Sequence, residues 1–435
     1  MENLSLGLYE DDPLKKEIIK EILNHQGIIF DICNENDLNN YPIIISTKKN
    51  HLEDKKFIII DDDIVNKFFE ALSGSISLNE EERIISSLSF YEQNILNNII
   101  KSYNQLKLPF LRKWYWPDFK KCCILLIHDI DGIDIFPGLE SKRELLKYFF
   151  YHLLFKNYGD NIDEILKMEN EKNITSTFFF LSKYKRKIQS SKGAKKNLKN
   201  LVKKVLNSNK EVGLHGSSNA AISEFNMKKE KEELENITNS KILGYRQHLI
   251  NYVFKVPDTL NYLLKLNFLY DISISDNDVF GFMEGICYPY HPIINKKRIN
   301  LIEISAPYED WISLSRKYTY NNQIDIINKL LETIKKYNGC LTLCIHNHYI
   351  NINKYKDFYN LYSYILNNLQ NDYWVTSVNE CVKWWIKKEN SNIEVLYGNN
   401  KIIFNSDIEL PIEIIYKNKK TYKTLKNDTL ILYHI

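Results

Sequence analysis

The chain has 435 residues, of which 44% are hydrophobic and 26% are charged, so it is long enough for two or three domains with cores of their own. Its formal net charge is only +3, its seven cysteines form no CxxC pair, and no apolar run approaches the ~20 residues of a membrane span. These features argue against a nucleic-acid-binding protein, a disulfide scaffold and a transmembrane protein. The acidic N-terminus lacks an export signal, which predicts a cytoplasmic location. The oligomeric state is left open.

Residues 1–115 predict a small α/β accessory domain. A helix is predicted at Pro13–His25, and short strands at 27–30, 43–46 and 57–60 precede further helices at 61–72 and 79–103. This region contains no cluster of chemically reactive residues. Its predicted role is packing or recognition.

From residue 116 to 390, apolar strand candidates alternate with longer helical stretches, which is typical of parallel βα units. Near-continuous hydrophobicity indicates strands that are covered on both faces. The size fits a distorted (β/α) barrel of seven or eight strands. Residues 391–435 alternate strand and turn signals and predict a short C-terminal β appendix. The strand candidates of the barrel are residues 122–127, 175–181, 211–214, 242–245, 270–275, 301–305, 340–345 and 373–377.

Four of these strands are followed directly by polar residues. The sequences are HDIDG at 128–132, HGSSN at 215–219, RQH at 246–248 and HNH at 346–348. Because the carboxyl ends of parallel strands meet at one rim of a barrel, these side chains are expected to lie close together. The sequence therefore predicts a site there.

Each residue of this set also has a structural reading. Asp129 and Asp131 project to the same side of an extended chain, which suits a cation or an acid–base pair, although they could simply end a strand. His215 suits a metal ligand or a packed histidine, and Arg246 suits a partner of an aspartate or a structural ion pair. His346 has the intrinsic pKa range of a proton donor, but it could also be packed.

In this order, the motifs resemble the polysaccharide deacetylase family, the NodB-homology carbohydrate esterases. The matching features are HDIDG, TSTFFFL, EVGLHGSSN, GYRQH and TLCIHNH, over about residues 118–390. The HDxD form of the first motif and the text GICYPYHP at 285–292 resemble one subgroup, in which an accessory domain often precedes the barrel.

The resemblance implies a barrel enzyme that hydrolyses the N-acyl group, usually acetyl, of an amino sugar with a divalent metal ion. Asp129 would be the general base, Asp131 and His215 would be metal ligands, and Arg246 would orient Asp129. His346 would protonate the departing amine. Zinc is the first expectation for the metal, and manganese, cobalt and nickel are alternatives.

The sequence departs from the family at the second histidine of the HGSSN motif, where it has Asn219. An amide oxygen is a harder ligand than imidazole. Asn219 could bind the metal itself, or His248 or His128 could take its place. The D-x-D spacing also leaves the roles of Asp129 and Asp131 interchangeable.

Two further functions stay open. One is another C–N hydrolysis, such as removal of a formyl group from a sugar or opening of a cyclic amide. The other is a catalytically decayed barrel that binds carbohydrate. The predicted partner in the first reading is an N-acylated amino sugar or a glycan precursor, and nucleic acid is not expected.

Overall fold

The structure is a computed structural model that describes residues 1–48, 57–131, 161–181, 191–248, 257–276 and 278–432, with only the backbone at 191–196. Gly132, the last residue of the HDIDG motif, lies outside the described residues.

The N-terminal region contains a four-stranded parallel sheet flanked by helices. Its elements are β1 Glu2–Asn3, β2 Leu6–Leu8, α1 Pro13–His25, β3 Phe30–Ile32, β4 Ile44–Ser46, β5 Phe57–Ile59, α2 Asp62–Leu72, α3 Glu80–Ile84, α4 Ser87–Gln105 and β6 Phe110–Lys113. The sheet has the order β3-β2-β4-β5. Helix α1 has the predicted bounds because Asp12 accepts hydrogen bonds from the backbone N–H groups of Leu14 and Lys15, with Pro13 at the first helical position.

The predicted helix at 79–103 is instead two helices, α3 and α4. Ser86 lies between them with φ 52°, a left-handed conformation that interrupts the helical hydrogen bonds. The backbone N–H groups of Leu88 and Ser89 donate to the carbonyl of Gly285, so the break is held by a contact with the barrel region.

The central region is a nine-stranded sheet. Its strands are β7 Cys122–Ile130, β8 Thr177–Leu181, β9 Glu211–Gly216, β10 Gly244–Gln247, β11 Tyr270–Asp271, β14 Ile302–Glu303, β15 Tyr308–Glu309, β16 Cys340–Cys344 and β17 Tyr373–Thr376. The order is β14-β11-β10-β9-β8-β7-β16-β15, and β17 also pairs with β7. Every pairing in it is parallel. Two short strands, β12 Ile293–Ile294 and β13 Lys297–Arg298, form a separate antiparallel pair.

Helices connect the central strands. They are α5 Ile162–Asn170, α6 Ser191–Asn207, α7 Ser218–Ala221, α8 Glu224–Thr238, α9 Asp258–Lys265, α10 Asp310–Ser315, α11 Tyr320–Tyr337, α12 Lys356–Asn367 and α13 Val378–Glu389. Short 3-10 turns occur at Glu35–Asn40, Pro117–Phe119 and Asn347–Tyr349.

The sheet curls into a barrel, as its connectivity requires. Eight flat strands at ~4.8 Å spacing would place the two edges about 34 Å apart. The edge strands β14 and β15 are consecutive in the chain and only residues 304–307 separate them. Five Cα–Cα steps span at most about 19 Å, so the edges must approach each other. The predicted α/β class with a distorted (β/α) barrel is confirmed, although β15 was missed in the sequence.

An antiparallel sheet follows the barrel. Strands β18 Ile393–Gly398, β19 Lys401–Tyr416 and β20 Lys419–Ile431 belong to it, together with β1 and β6 from the N-terminal region. The predicted β appendix at 391–435 is thus completed by strands from the other end of the chain. The predicted domain boundaries at 115 and 390 stay predictions.

One continuous hydrophobic core runs through all three regions. Strand β7 is buried at all nine positions, because helices or other strands cover both of its faces. Helix α13 packs Trp385 against Trp116, with ring centroids 5.3 Å apart. No helix within the described ranges combines the length and apolar character that a membrane crossing requires.

Candidate metal and catalytic site

Three side chains from the ends of three strands meet at the C-terminal rim of the barrel. Asp131 follows β7, His215 lies in β9 and His248 follows β10. Asp131 Oδ1 lies 3.0 Å from His215 Nε2 and 3.2 Å from His248 Nδ1, and these two nitrogens are 3.2 Å apart. The three atoms form a nearly equilateral triangle.

The triangle has the dimensions of one face of a metal coordination shell. A tetrahedral ion with bonds of 2.0–2.1 Å would separate its ligand atoms by about 3.3–3.4 Å. Asp131 Oδ1 is buried and accepts no hydrogen bond of normal geometry from any described residue. A buried carboxylate oxygen without a partner is costly, and a cation at the centre of the triangle would remove that cost. The residues present therefore fit a divalent metal ion.

His215 is oriented by the backbone for ligation. Its Nδ1 lies 3.1 Å from the carbonyl oxygen of Arg246, so Nδ1 carries the proton and Nε2 presents its lone pair to the triangle. The next residue, Gly216, has no room for a side chain, because a Cβ atom there would lie 2.1 Å from the hydroxyl oxygen of Tyr245. Glycine thus lets β9 and β10 end side by side.

Asp129 lies beside the triangle and is held by a buried arginine. Arg246 Nε donates to both carboxylate oxygens of Asp129, at 2.9 and 2.8 Å. Burial by itself would raise the pKa of Asp129, but the charge of Arg246, with His215 and His346, holds that pKa at about 2. Asp129 is therefore ionised and fixed in position.

His346, two residues after the end of β16, faces Asp129 and Asp131. Its Nε2 lies 3.6 Å from Asp131 Oδ2 and 3.9 Å from Asp129 Oδ2. Its Nδ1 lies 2.6 Å from Asp310 Oδ1, and its backbone N–H donates to Asp310 Oδ2 at 2.7 Å. Burial would lower the pKa of His346, but the negative charge of Asp310 outweighs it and raises the pKa to about 10. His346 is therefore positively charged at neutral pH.

The three candidates for a third ligand are placed very differently. His248 contributes the third atom of the triangle, whereas Asn219 is exposed on the short helix α7 and, among the described residues, has no hydrogen bond to Asp131, His215 or His248. His128 points away from the site, because successive side chains of a strand face opposite sides. It contacts the carbonyl oxygen of Ile345 and Glu169 instead.

Sequence reasoning missed two acids next to the site, Glu309 and Asp310. Glu309 Oε1 accepts a hydrogen bond of 2.6 Å from Arg246 Nη2, and Asp310 holds His346. The signal was the text PYED after an apolar segment, but the two-residue strand β15 that carries it is too short to recognise from periodicity. A further contact, the thiol of Cys344 at 3.4 Å from Asp129 Oδ2, has no signal in the sequence.

The arrangement brings three kinds of chemical group together at one rim of the barrel. The triangle can hold a cation, Asp129 can accept a proton, and His346 can donate one from the other side. All five of the predicted residues Asp129, Asp131, His215, Arg246 and His346 come together here, with His248. Their roles stay predictions.

Neither a protein-family model nor a curated protein sequence matches the chain. Among solved structures, it is similar to a protein described as a polysaccharide deacetylase from Mycobacterium smegmatis, with 17% identity over 64% of this chain and 94% of that chain and a TM-score of 0.46. It is also similar to Puue allantoinase, with 13% identity over 62% and 92% of the two chains and a TM-score of 0.44. The carbohydrate deacetylase Agd3 is similar over 98% of both chains, with 7% identity and a TM-score of 0.46.

Proposed function

We propose that the chain is a metal-dependent amide hydrolase that removes an N-acyl group, first an N-acetyl group, from an amino sugar of a polysaccharide or glycan precursor. The observation that carries the hydrolase chemistry is the triangle of Asp131, His215 and His248, flanked by an ionised carboxylate and a protonated imidazole. The amino-sugar substrate follows from the resemblance of the ordered motifs to polysaccharide deacetylases.

Asp131, His215 and His248 would hold a divalent ion, for which zinc is the first expectation and manganese, cobalt and nickel are alternatives. When bound, such an ion supplies polarisation of the acyl carbonyl and a lowered pKa of a coordinated water. In this assignment His248 replaces Asn219 as the third ligand. Two imidazoles and one carboxylate are a common ligand set for catalytic zinc.

The neighbouring groups stand in the protonation states that amide hydrolysis needs. Asp129 is ionised, so it can take a proton from the attacking water. His346 is protonated by virtue of Asp310, so it can give a proton to the amine nitrogen, which is a poor leaving group without it. Because Asp129 is bound by Arg246 and Asp131 belongs to the triangle, we assign Asp129 as the base and Asp131 as the ligand.

The proposal is tested by metal content and hydrolysis in matched variants. Asp131→Ala, His215→Ala and His248→Ala should each lose about one equivalent of bound metal and the turnover of acetylated amino-sugar oligomers, whereas Asn219→Ala should keep both. A panel of formyl, acetyl and cyclic amide substrates compares the acyl specificities. Undiminished turnover in the Asp131 and His215 variants would refute the proposal, and a wild-type protein that retains no divalent ion would favour a decayed carbohydrate-binding barrel.

A further inference from the structure

Three buried cysteines meet at the opposite end of the barrel from the candidate site. Cys123 is near the start of β7, Cys340 begins β16 and Cys381 lies in helix α13. The three Sγ atoms all lie within 4.8 Å of one another, and Cys123 Sγ is 3.7 Å from Cys381 Sγ. Cys123 precedes Asp129 by six residues on the same strand, so the two ends are about 20 Å apart.

The convergence is built by the backbone rather than by one flexible loop. Cys123 and Cys340 are register partners of adjacent parallel strands, so their side chains point to the same side. Helix α13 closes this end of the barrel and brings Cys381 to them. All three are at most 3% exposed. Cys122, the adjacent residue on β7, faces the other side of the sheet and does not join the group.

A buried lysine accompanies the thiols. Lys388 follows Cys381 by seven residues, which places both on the same face of α13. It is 1% exposed, and its Nζ has no hydrogen-bond partner among the described residues. Burial and the nearby charge of Lys113 hold the pKa of Lys388 well below its usual range, although Glu389 and Cys381 act to raise it. Lys388 Nζ lies over the ring of Trp385, 3.4 Å from the centroid, and an amine without a hydrogen bond is costly in such a place unless an anionic group lies nearby.

We propose that Cys123, Cys340 and Cys381 bind one thiophilic d10 metal ion, Zn²⁺ or Cu⁺, as three thiolates. Zinc–sulfur bonds of about 2.3 Å in a tetrahedron separate the sulfurs by about 3.8 Å, close to the 3.7 Å between Cys123 and Cys381. Soft thiolates select these ions over harder ones. Binding displaces three thiol protons. Three thiolates with Zn²⁺ carry a net charge of −1, which a protonated Lys388 would neutralise.

The site differs from the candidate catalytic site in both ligand type and accessibility. It offers sulfur instead of nitrogen and oxygen, and its burial leaves no approach for a substrate. A metal there would be structural, taken up as the chain folds, and would join α13 to two barrel strands.

The experiment isolates this site in the Asp131→Ala/His215→Ala double variant, which removes ligands of the proposed catalytic metal. The purified variant should retain about one equivalent of zinc or copper, and elemental analysis distinguishes the two. Reconstitution of the metal-free variant with Co²⁺ should give thiolate-to-cobalt charge-transfer absorption. Adding Cys381→Ser should lower metal occupancy at least tenfold, whereas adding the matched control Cys122→Ser should leave it unchanged.

Several results would overturn the proposal. One is a double variant that has neither bound metal nor charge-transfer absorption, and another is equal metal loss in the Cys122 and Cys381 variants. A third is fewer than seven titratable thiols in the denatured, metal-free protein, which would indicate a disulfide. The cobalt spectrum needs no cysteine variant, so misfolding of the Cys381 variant leaves the test decisive. Because two of the three proposed catalytic ligands are absent throughout, its outcome is independent of the proposed hydrolase function.

Discussion

His128 and Asp129 are consecutive residues of β7, and they belong to two clusters that differ in how completely their polar atoms are hydrogen-bonded. His128 faces outward into a cluster with Glu169, Ser176 and Tyr362, which we call the outer cluster. Glu169 Oε1 lies 2.9 Å from His128 Nε2 and accepts from the Tyr362 hydroxyl at 2.6 Å, and Glu169 Oε2 accepts from Ser176 at 2.6 Å. His128 Nδ1 lies 3.0 Å from a backbone carbonyl oxygen. Every polar atom of this histidine–carboxylate pair has a partner.

The inner cluster, at the candidate site, uses the same residue types without that completeness. Asp131 Oδ1 has no hydrogen bond among the described residues. It faces two imidazole nitrogens, and one of them, His215 Nε2, presents a lone pair. A structural histidine has hydrogen-bond partners at both ring nitrogens, whereas lone pairs that point to one place are typical of an ion-binding site. The side chains of His128 and Glu169 are fully buried, whereas those of Asp131 and His248 are about a fifth exposed, so the two clusters differ in access to solvent as well as in hydrogen bonding.

The largest effect is expected from Asp129→Asn, which separates the base from the ligand. Because Asp129 lies outside the triangle, its loss should lower kcat by about 10²–10⁴-fold while the bound metal is retained. Steady-state kinetics and metal analysis on the same preparation test this. Loss of metal from the Asp129 variant would reverse the assignments of Asp129 and Asp131.

A smaller effect is expected from Asp310→Asn, which changes the charge beside His346. Asp310 raises the pKa of the imidazole to about 10, so the variant should bring that pKa down toward its ordinary range, measurable by NMR on the metal-free protein. The alkaline limb of the activity profile should move to lower pH, with a loss of about 10–100-fold at pH 8. An unchanged pKa of His346 would contradict the role of Asp310.

The outer cluster should respond in stability rather than in chemistry. Glu169→Gln removes the negative charge of the outer cluster. That charge is hydrogen-bonded by Ser176 and Tyr362 and lies within ion-pair distance of His128 and Lys210. The free energy of unfolding should therefore fall by about 2–4 kcal/mol. Tyr362→Phe removes one donor and should cost about 1 kcal/mol. Denaturant titrations measure both.

Activity distinguishes the two clusters in the same variants. The turnover per folded molecule should be unchanged in Glu169→Gln, because the outer cluster lies on the far side of β7 from the site. A fall in kcat of tenfold or more at undiminished stability would place the outer cluster in the chemistry and break the comparison.

The smallest effect is expected at a third set of buried groups. Asp271 and Glu303 are register partners on β11 and β14, and burial raises the pKa of Asp271 to about 7 and that of Glu303 well above its usual range. Between about pH 4 and 7 the folded protein therefore binds more protons than the unfolded chain, and stability falls as pH rises. Glu303→Gln should remove part of this slope.

The Glu303 variant is best measured as a difference between two pH values. The free energy of unfolding of Glu303→Gln relative to the wild type should be about 1 kcal/mol or more higher at pH 8 than at pH 5. The difference is seen as a higher Tm of the variant at pH 8. Arg83→Lys, at an ion pair with Asp276 outside this pair, serves as a control whose effect should be the same at both pH values. A pH-independent difference for Glu303→Gln would show that the pKa of Glu303 is not raised in the folded protein.

Parts of the fold and site followed from local signals. The bounds of α1 were predicted because its cap, its proline and its periodicity are all local. The central strands were recognised from apolar runs, and the C-terminal ends of parallel strands must share a rim, which is why Asp131 and His215 could be paired across more than eighty residues of sequence. The strand β15 escaped because its two residues follow Pro307 and lead directly into Asp310, whereas the equally short β11 and β14 lie within longer apolar stretches.

The sequence by itself determined the class of the barrel and the residue types at its rim, since apolar runs that end in acids and histidines leave few other placements. Only the tertiary structure brought His248 rather than Asn219 next to Asp131 and His215, placed Asp129 beside Arg246, and put His128 and Asp129 on opposite sides of β7. It also joined the two ends of the chain in one antiparallel sheet and gathered three thiols at the base of the barrel. These outcomes depend on which atoms face one another across elements distant in the chain, and distances of that kind are not encoded in any single segment.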